Sequence, residues 1–220
     1  LSAFSTAATG GRKKRGEGHT RREEILQAAK ELFLEQGYDS TTIRKIADRV
    51  GVSAPALYLY FQDKEQMMLA LCDQTFGYLI ESIGEIEKNV SDLRERIRQF
   101  GEAYLRFGLK HPDEYRLIFL GSNVPESVRK IGHRMPTDDP TRPGVNGAIV
   151  FQRLVGVLVE AEAAGLKLNY PADTCAELCW MGMHGLASAL ILKPEFPWSN
   201  RDLLINGMLD MVLKGIIRDA

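Results

Sequence analysis

Cysteine is scarce in this chain. Cys72, Cys175 and Cys179 are the only three, too few for a disulfide framework, so a reducing cytosol is the expected setting. Cys175 and Cys179 stand four apart, on one face of any helix. A redox pair or soft-metal site is one reading of them, but no Cys/His cluster with zinc spacing accompanies them. His19, His111, His133 and His184 are scattered, and neither a metal nor a cofactor is expected. The chain has no P-loop, no Gly-x-Gly-x-x-Gly, no Gly-x-Ser-x-Gly and no His-Glu-x-x-His, which points away from an enzyme. Long apolar runs are missing as well. None reaches about 18 residues, so no membrane span is expected. The opening Leu1-Ser-Ala-Phe-Ser is too short and polar for a signal peptide. Without an initiator methionine, it reads as a trimmed or engineered start.

What is present is ordinary for a globular protein: 45% hydrophobic and 26% charged residues over 220 positions, enough for one large or two small domains. The net charge of −1 hides an asymmetry. Residues 1–64 hold 11 Lys/Arg against 8 Asp/Glu, and the remainder 17 against 21, so +3 and −4 sum to −1. A basic front on a mildly acidic body suits a nucleic-acid reader joined to something else. Residues 1–20 are small, polar and Gly-containing, as in a disordered segment. Within them Arg12-Lys13-Lys14-Arg15 reads as an arm that tracks phosphates, or as a plain solvated tail.

The most informative stretch runs from Thr41 to Phe61. Ile43, Ile46, Ala47 and Val50 fall at i, i+3, i+4 and i+7, one apolar face of a short helix. Thr41 or Thr42 can cap its start. Gly51 follows the last apolar position, where a helix end commonly needs positive φ. Ser53 is a second N-cap, and Pro55 sits in the next first turn, where its missing N–H is harmless. Two short helices joined by a Gly-containing turn make a helix-turn-helix. Upstream, Arg21 to Gln36 carries an apolar stripe of Ile25, Ala28, Ala29, Leu32 and Phe33, ended by Gly37.

The pieces Ile46-Ala47, Gly51-Val52-Ser53, Leu57-Tyr58, Phe61 and Lys64 resemble the DNA-binding domain of the TetR family of bacterial transcriptional repressors. The upstream helix, ending Gly37-Tyr38, resembles that family's first helix. The resemblance implies an all-α fold in two parts. A three-helix helix-turn-helix DNA-binding domain spans residues 21–65, after the arm of residues 1–20. A larger helical ligand-binding and dimerisation domain spans 66–220. A recognition helix from about Ala54 to Tyr60 is expected in the major groove of a palindromic operator read by a homodimer. The implied DNA-contacting set is Thr42, Arg44, Lys45, Ser53, Ala54, Pro55, Ala56, Tyr58, Leu59, Tyr60 and Lys64. The hydroxyls of Thr42, Tyr58 and Tyr60 are expected on phosphates, as is Lys64. Tyr60 stands where many relatives carry His. The recognition helix has no Arg, Asn or Gln to hold a base edge bidentately. Base reading is therefore expected from Arg44 and Lys45, from thymine contacts and from DNA shape.

Helices are expected over Gln66–Lys88, Ser91–Lys110, Asp113–Leu120, Ala148–Ala164, Ala172–Leu192 and Leu203–Arg218. Gly121 to Gly147, punctuated by four prolines, reads as an irregular loop. Phe100, Tyr104, Phe107, Tyr115 and Phe119 form a dense aromatic set: ordinary core, or with Trp180 and His184 the wall of a pocket for a small hydrophobic effector. Trp180-Met181-Gly182-Met183-His184-Gly185 resembles a motif of one subgroup of these regulatory domains. In the family the last two helices pair with their copies. That implies a dimer interface of Met183, Leu186, Leu190, Leu204, Met208, Met211 and Val212. Three functions stay open: a ligand-released repressor, a DNA-binding regulator with no small ligand, and an enzyme with a borrowed DNA-binding head.

Overall fold

The computed structural model describes residues 17–121, 125–129 and 144–218. Ten α-helices are found among them: α1 Glu17–Gln36, α2 Ile43–Val50, α3 Ala54–Leu57, α4 Lys64–Asn89, α5 Leu93–Lys110, α6 Pro112–Tyr115, α7 Glu126–Arg129, α8 Asn146–Ala163, α9 Ala172–Leu192 and α10 Arg201–Ile216. α6 runs straight into a π-helix, Arg116–Leu120. The described residues contain no strand, only an isolated bridge between Leu168 and Ile217. The fold is all-α, with a helix-turn-helix at its N-terminal end and a larger helical part behind it.

Local chemistry sets the helix ends in the N-terminal part. Thr42 caps α2, its side chain accepting from the Lys45 amide. Thr41 is instead buried, and its hydroxyl donates toward the carbonyls of Leu32 and Gly37. Gly51 closes α2 at φ 73°, and the Val52 amide reaches back to Ala47 O at 3.0 Å, the glycine-terminated C-cap. Ser53 caps α3 with Pro55 in its first turn. α1, α2 and α3 then close over Ile25, Ala29, Phe33, Ile46, Ala47, Leu57 and Phe61, all at most 2% exposed.

Several boundaries differ from the sequence expectation. Residues 17–20, placed in the arm, are the first turn of α1, where His19 meets Glu23 and Arg21 meets Glu24. Residues 1–16, with Arg12 to Arg15, lie outside the described residues. α3 ends at Leu57 rather than Tyr60. Beyond it Leu59, Tyr60 and Phe61 amides still bond back to Ala56 and Leu57, so the chain coils on without regular helix. α10 starts early, at Arg201, because Asn200 caps the amides of Asp202 and Leu203. It stops at Ile216, where Ile217 leaves to pair with Leu168.

In the larger part, α9 packs against α5, α8 and α10, and α4 against α5 and α8. α9 is long and apolar enough to cross a membrane by length and composition, a property the count of unbroken apolar residues missed because Asp173 and Glu177 interrupt it. Here it is the central helix of the bundle. α10 lies very close to its neighbours. A Cβ at Gly182 would stand 2.7 Å from Val212 Cγ2, and one at Gly101 2.7 Å from Leu209 Cδ2. Asp73 of α4 starts α8 from a distance. Its carboxylate accepts from the amides of Gly144 at 2.6 Å and Asn146 at 3.1 Å, replacing the missing side-chain cap.

Gly51→Ala places a Cβ in open space but in the left-handed region. It is expected to lower stability by about 1 kcal/mol, read as a lower thermal midpoint. Gly77→Ala, mid-α4 and equally open, is expected to raise it by up to about 1 kcal/mol.

Candidate functional site

Two places concentrate chemistry: the tip of the helix-turn-helix and a cavity in the helical body. At the tip Thr42, Arg44, Lys45, Ser53, Pro55, Tyr58 and Leu59 are exposed, while Ala54, Ala56, Tyr60 and Lys64 are partly buried. Tyr58 and Leu59, 54% and 79% exposed, are large side chains open to solvent. Arg44 makes no hydrogen bond or ion pair among the described residues. Lys45 donates to Gln36 Oε1 and Ser40 O. Lys64 donates to the carbonyls of Tyr38 and Thr41 and lies 4.0 Å over the Tyr38 ring. These partners are neutral, although the field of nearby Asp39 also reaches Lys64. Arg49, by contrast, is paired with Glu31 and Glu35. The tip is thus a surface of hydroxyls, apolar groups and positive charge.

The cavity of about 70 Å³ lies among α4, α5, α8, α9, α10 and the π-helix. Four of the predicted wall residues line it: Phe100, Tyr104, Phe119 and Trp180. Phe107, Tyr115 and His184 do not. They stand one layer back, where Tyr115 packs on Phe119 with ring centres 4.8 Å apart and on His184 at 5.5 Å. Sequence reasoning missed Phe76, Leu79 and Ile83 of α4, Val150, Phe151 and Leu154 of α8, and Arg98 of α5. The i, i+3, i+7 spacing of Phe76, Leu79 and Ile83 marked an inward stripe, but not a cavity wall.

Behind the wall runs a polar chain. Trp180 Nε1 donates to the Tyr104 hydroxyl at 3.2 Å, which lies 3.2 Å from the Tyr115 hydroxyl, itself 2.5 Å from His184 Nδ1. One proton arrangement satisfies all four when His184 is neutral with its proton on Nε2: each hydroxyl accepts from one neighbour and donates to the next. Burial holds His184 below its ordinary value. Burial also raises all three thiols, Cys179 to about 12. Cys175 and Cys179 are therefore protonated and shielded, unlike reactive cysteines.

The predicted dimer residues divide. Met183, Leu186 and Leu190 are buried within the protomer, and Met183 and Val212 line the cavity. Leu204 and Met208 are partly buried, and Met211 is 61% exposed. The outward stripes are instead Met181, Gly185 and Leu192 on α9, and Leu203, Gly207 and Met211 on α10, each at helical spacing.

The sequence family described as bacterial regulatory proteins, tetR family, matches residues 25–71. The one described as tetracyclin repressor-like, C-terminal domain, matches residues 97–212, more than half of the chain. This chain belongs to the tetR family. The transcriptional activator FasR of Mycolicibacterium smegmatis is 36% identical over 107 residues, 48% of each protein. The transcriptional repressor AcnR of Corynebacterium diphtheriae is 38% identical over 65 residues, 30% of this chain and 34% of the relative. The chain thus spans about half the length of the first and a third of the second. The transcriptional regulator FadR of Bacillus subtilis, solved with stearoyl-CoA, superposes with a TM-score of 0.69 over 88% of this chain and 98% of its own, at 18% identity. A protein from Rhodococcus sp. RHA1 does so with a TM-score of 0.68 over 90% and 96%, at 23% identity. These two likenesses show a shared fold over 88% and 90% of this chain.

Protonating His184 adds a donor facing two hydroxyls. Because its folded value lies below the unfolded 6.5, its contribution to stability is present above that value and lost as pH falls through the folded one. The drop in thermal midpoint from about pH 7.5 to about pH 5.5 is expected to be smaller in His184→Gln than in the parent.

Proposed function

We propose that this chain is a ligand-responsive transcriptional repressor that binds a palindromic operator as a homodimer and is released by a small hydrophobic effector. The observation that carries this reading is the path of α4. One helix begins beneath the tip, where Lys64 grips the carbonyls of Tyr38 and Thr41, and continues into the cavity wall as Phe76, Leu79 and Ile83. Residues 17–65 act as the reading head and 66–220 as the sensing and dimerising body, with the basic residues Arg12 to Arg15 ahead of the head in sequence. Its place of action is the cytoplasm, on chromosomal DNA.

In the head, Thr42, Ser53, Tyr58, Tyr60 and Lys64 hold the phosphate backbone and fix register. Ala54, Pro55, Ala56 and Leu59 touch thymine methyls. Arg44, without a hydrogen bond or ion pair among the described residues, reads a base edge, and Lys45 supports it. In the body, the exposed stripes Met181–Gly185–Leu192 and Leu203–Gly207–Met211 pair with their copies, with Leu204, Met208 and Val212 at the edge. An exposed apolar area of this kind seeks a partner.

A second mechanical path joins cavity to head. Phe119 lines the cavity on the π-helix that continues α6, and Glu114 of α6 pairs with Lys30 of α1 at 3.0 Å. An effector that displaces Phe119 pulls on this ion pair, and it favours the state it fits better only by its differential affinity for the two. The stearoyl-CoA bound to the FadR neighbour supports an effector with a long apolar chain. One observation favours a second reading, a regulator with no small ligand: about 70 Å³ falls well below the roughly 300–1,000 Å³ of ordinary ligand sites. On the first reading, the effector must therefore push the walls apart.

Selection from random duplex DNA at fixed moderate salt is expected to return a palindrome. Arg44→Ala should relax the preference at one base pair per half-site, a loss of about 1–3 kcal/mol of discrimination. Tyr58→Ala should weaken binding to all sequences alike, by about 1 kcal/mol. An unchanged site at unchanged stringency in Arg44→Ala removes that residue from base reading. Glu114→Ala is expected to keep operator affinity while shrinking the affinity change that saturating tetradecanoate produces, measured by fluorescence anisotropy of labelled operator.

A further inference from the structure

The cavity wall carries one charged side chain among the described residues, Arg98 of α5. Its side chain is 23% exposed. Nη1 donates to Asp210 Oδ1 at 2.5 Å and Nη2 to Asn206 Oδ1 at 2.8 Å, both on α10. Among the described residues these are its only partners. Asp210 engages the guanidinium through a single oxygen, and its own side chain is 57% exposed, so the ion pair is monodentate and open to water. The fork of a guanidinium matches a carboxylate through two parallel bonds, and here its two arms are split between Asp210 and Asn206 instead of meeting one carboxylate. Around it the wall is apolar: Ile97 and Phe100 beside it on α5, Leu209 and Leu213 on α10, Ile83 on α4.

A slot with apolar walls and one cation at its edge selects for a molecule with one anionic end and a long apolar remainder. We propose that the effector is a long-chain carboxylate whose head displaces Asp210 on Arg98 while its tail enters the cavity between α4 and α8. This rests on the reading of the cavity as the effector site. Tail burial supplies the binding energy that lets a ligand carboxylate outcompete Asp210. The exchange has a mechanical result. Asp210 and Asn206 are the links by which Arg98 holds α10 to α5, and α10 carries the outward stripe Leu203–Gly207–Met211. Releasing them frees that helix to shift, and with it the angle between paired protomers.

The test is calorimetric titration of the full chain with tetradecanoate and with tetradecanol, each below its aggregation concentration. The same titrations are run with Arg98→Gln and Asp210→Asn. The expected result is that tetradecanoate binds the parent at least about tenfold more tightly than the alcohol, and that this preference disappears in Arg98→Gln. Asp210→Asn, which removes the competitor, should tighten tetradecanoate and leave tetradecanol unchanged, a result that a merely structural Arg98–Asp210 pair does not give. If both compounds bind the parent equally, the cavity stands as an effector site and the role of Arg98 is overturned. That role is overturned equally if Asp210→Asn weakens both compounds. If neither compound binds the parent, the cavity reading fails and this proposal fails with it.

Discussion

Helix α4 runs through one continuous apolar core, from the helix-turn-helix into the helical body. Its first turn is held by Lys64, whose ammonium sits over the Tyr38 ring and on two backbone carbonyls at the α1–α2 junction. Its next turns bury Met67, Met68, Leu71 and Cys72, and beyond them Phe76, Leu79 and Ile83 face the cavity. No glycine with positive φ interrupts it. A helix of this kind transmits rotation rather than absorbing it. Any change in the body that tilts α4 must move the helix-turn-helix, unless the shared core gives way, and a close-packed core resists that.

The polar groups of the body are arranged so that this stiffness survives burial. Trp180, Tyr104, Tyr115 and His184 form a chain in which the indole N–H and both hydroxyls each find an acceptor. Arg116 donates to the Ile191 carbonyl at 2.9 Å, serving the exposed end of α9 from the π-helix. Together these bonds fix α5, the π-helix and α9 against one another. The compliant parts are elsewhere: the single monodentate pair between Arg98 and Asp210, and the ion pair between Lys30 and Glu114. The first spans α5 and α10 beside the close packing of Gly101 on Leu209, and the second ties α1 to α6.

The head was legible from sequence because each signal in it acts within a few residues. Thr42, Gly51, Ser53 and Pro55 do their work on amides and carbonyls at most five positions away. The end of α3 was not legible, since Leu59 and Tyr60 continue the coil without regular helix, and no breaker residue marks the change. The cavity was half legible. Aromatic density on α5 and α6 was plain, but which rings face the space depends on how six elements pack. Phe107, Tyr115 and His184 therefore fell one layer behind. Arg98 was passed over because a helix-surface arginine is usually just solvated, and its neighbours on α10 lie more than 100 positions away. α9 is apolar nearly all round, so composition had no power to choose its outward side. Gly185 and the spacing of Met181 and Leu192 mark it only once the bundle is built.

The carboxylate of Asp73 gives α8 an unusual dependence. Most helices carry the means of their own nucleation, but the first amides of this one bond to a side chain 71 to 73 positions earlier. Closing so long a loop carries an entropic cost that must be met before the contact returns anything. α8 is therefore a late-folding element, consolidated after α4 has docked. It is also an early-opening one, whose amide protons exchange before those of the helices it covers. The wall of the cavity is thus built from its most permanent helix on one side and its most conditional on the other. Of the helices around the cavity, α8 is the one whose start hangs on a single distant carboxylate.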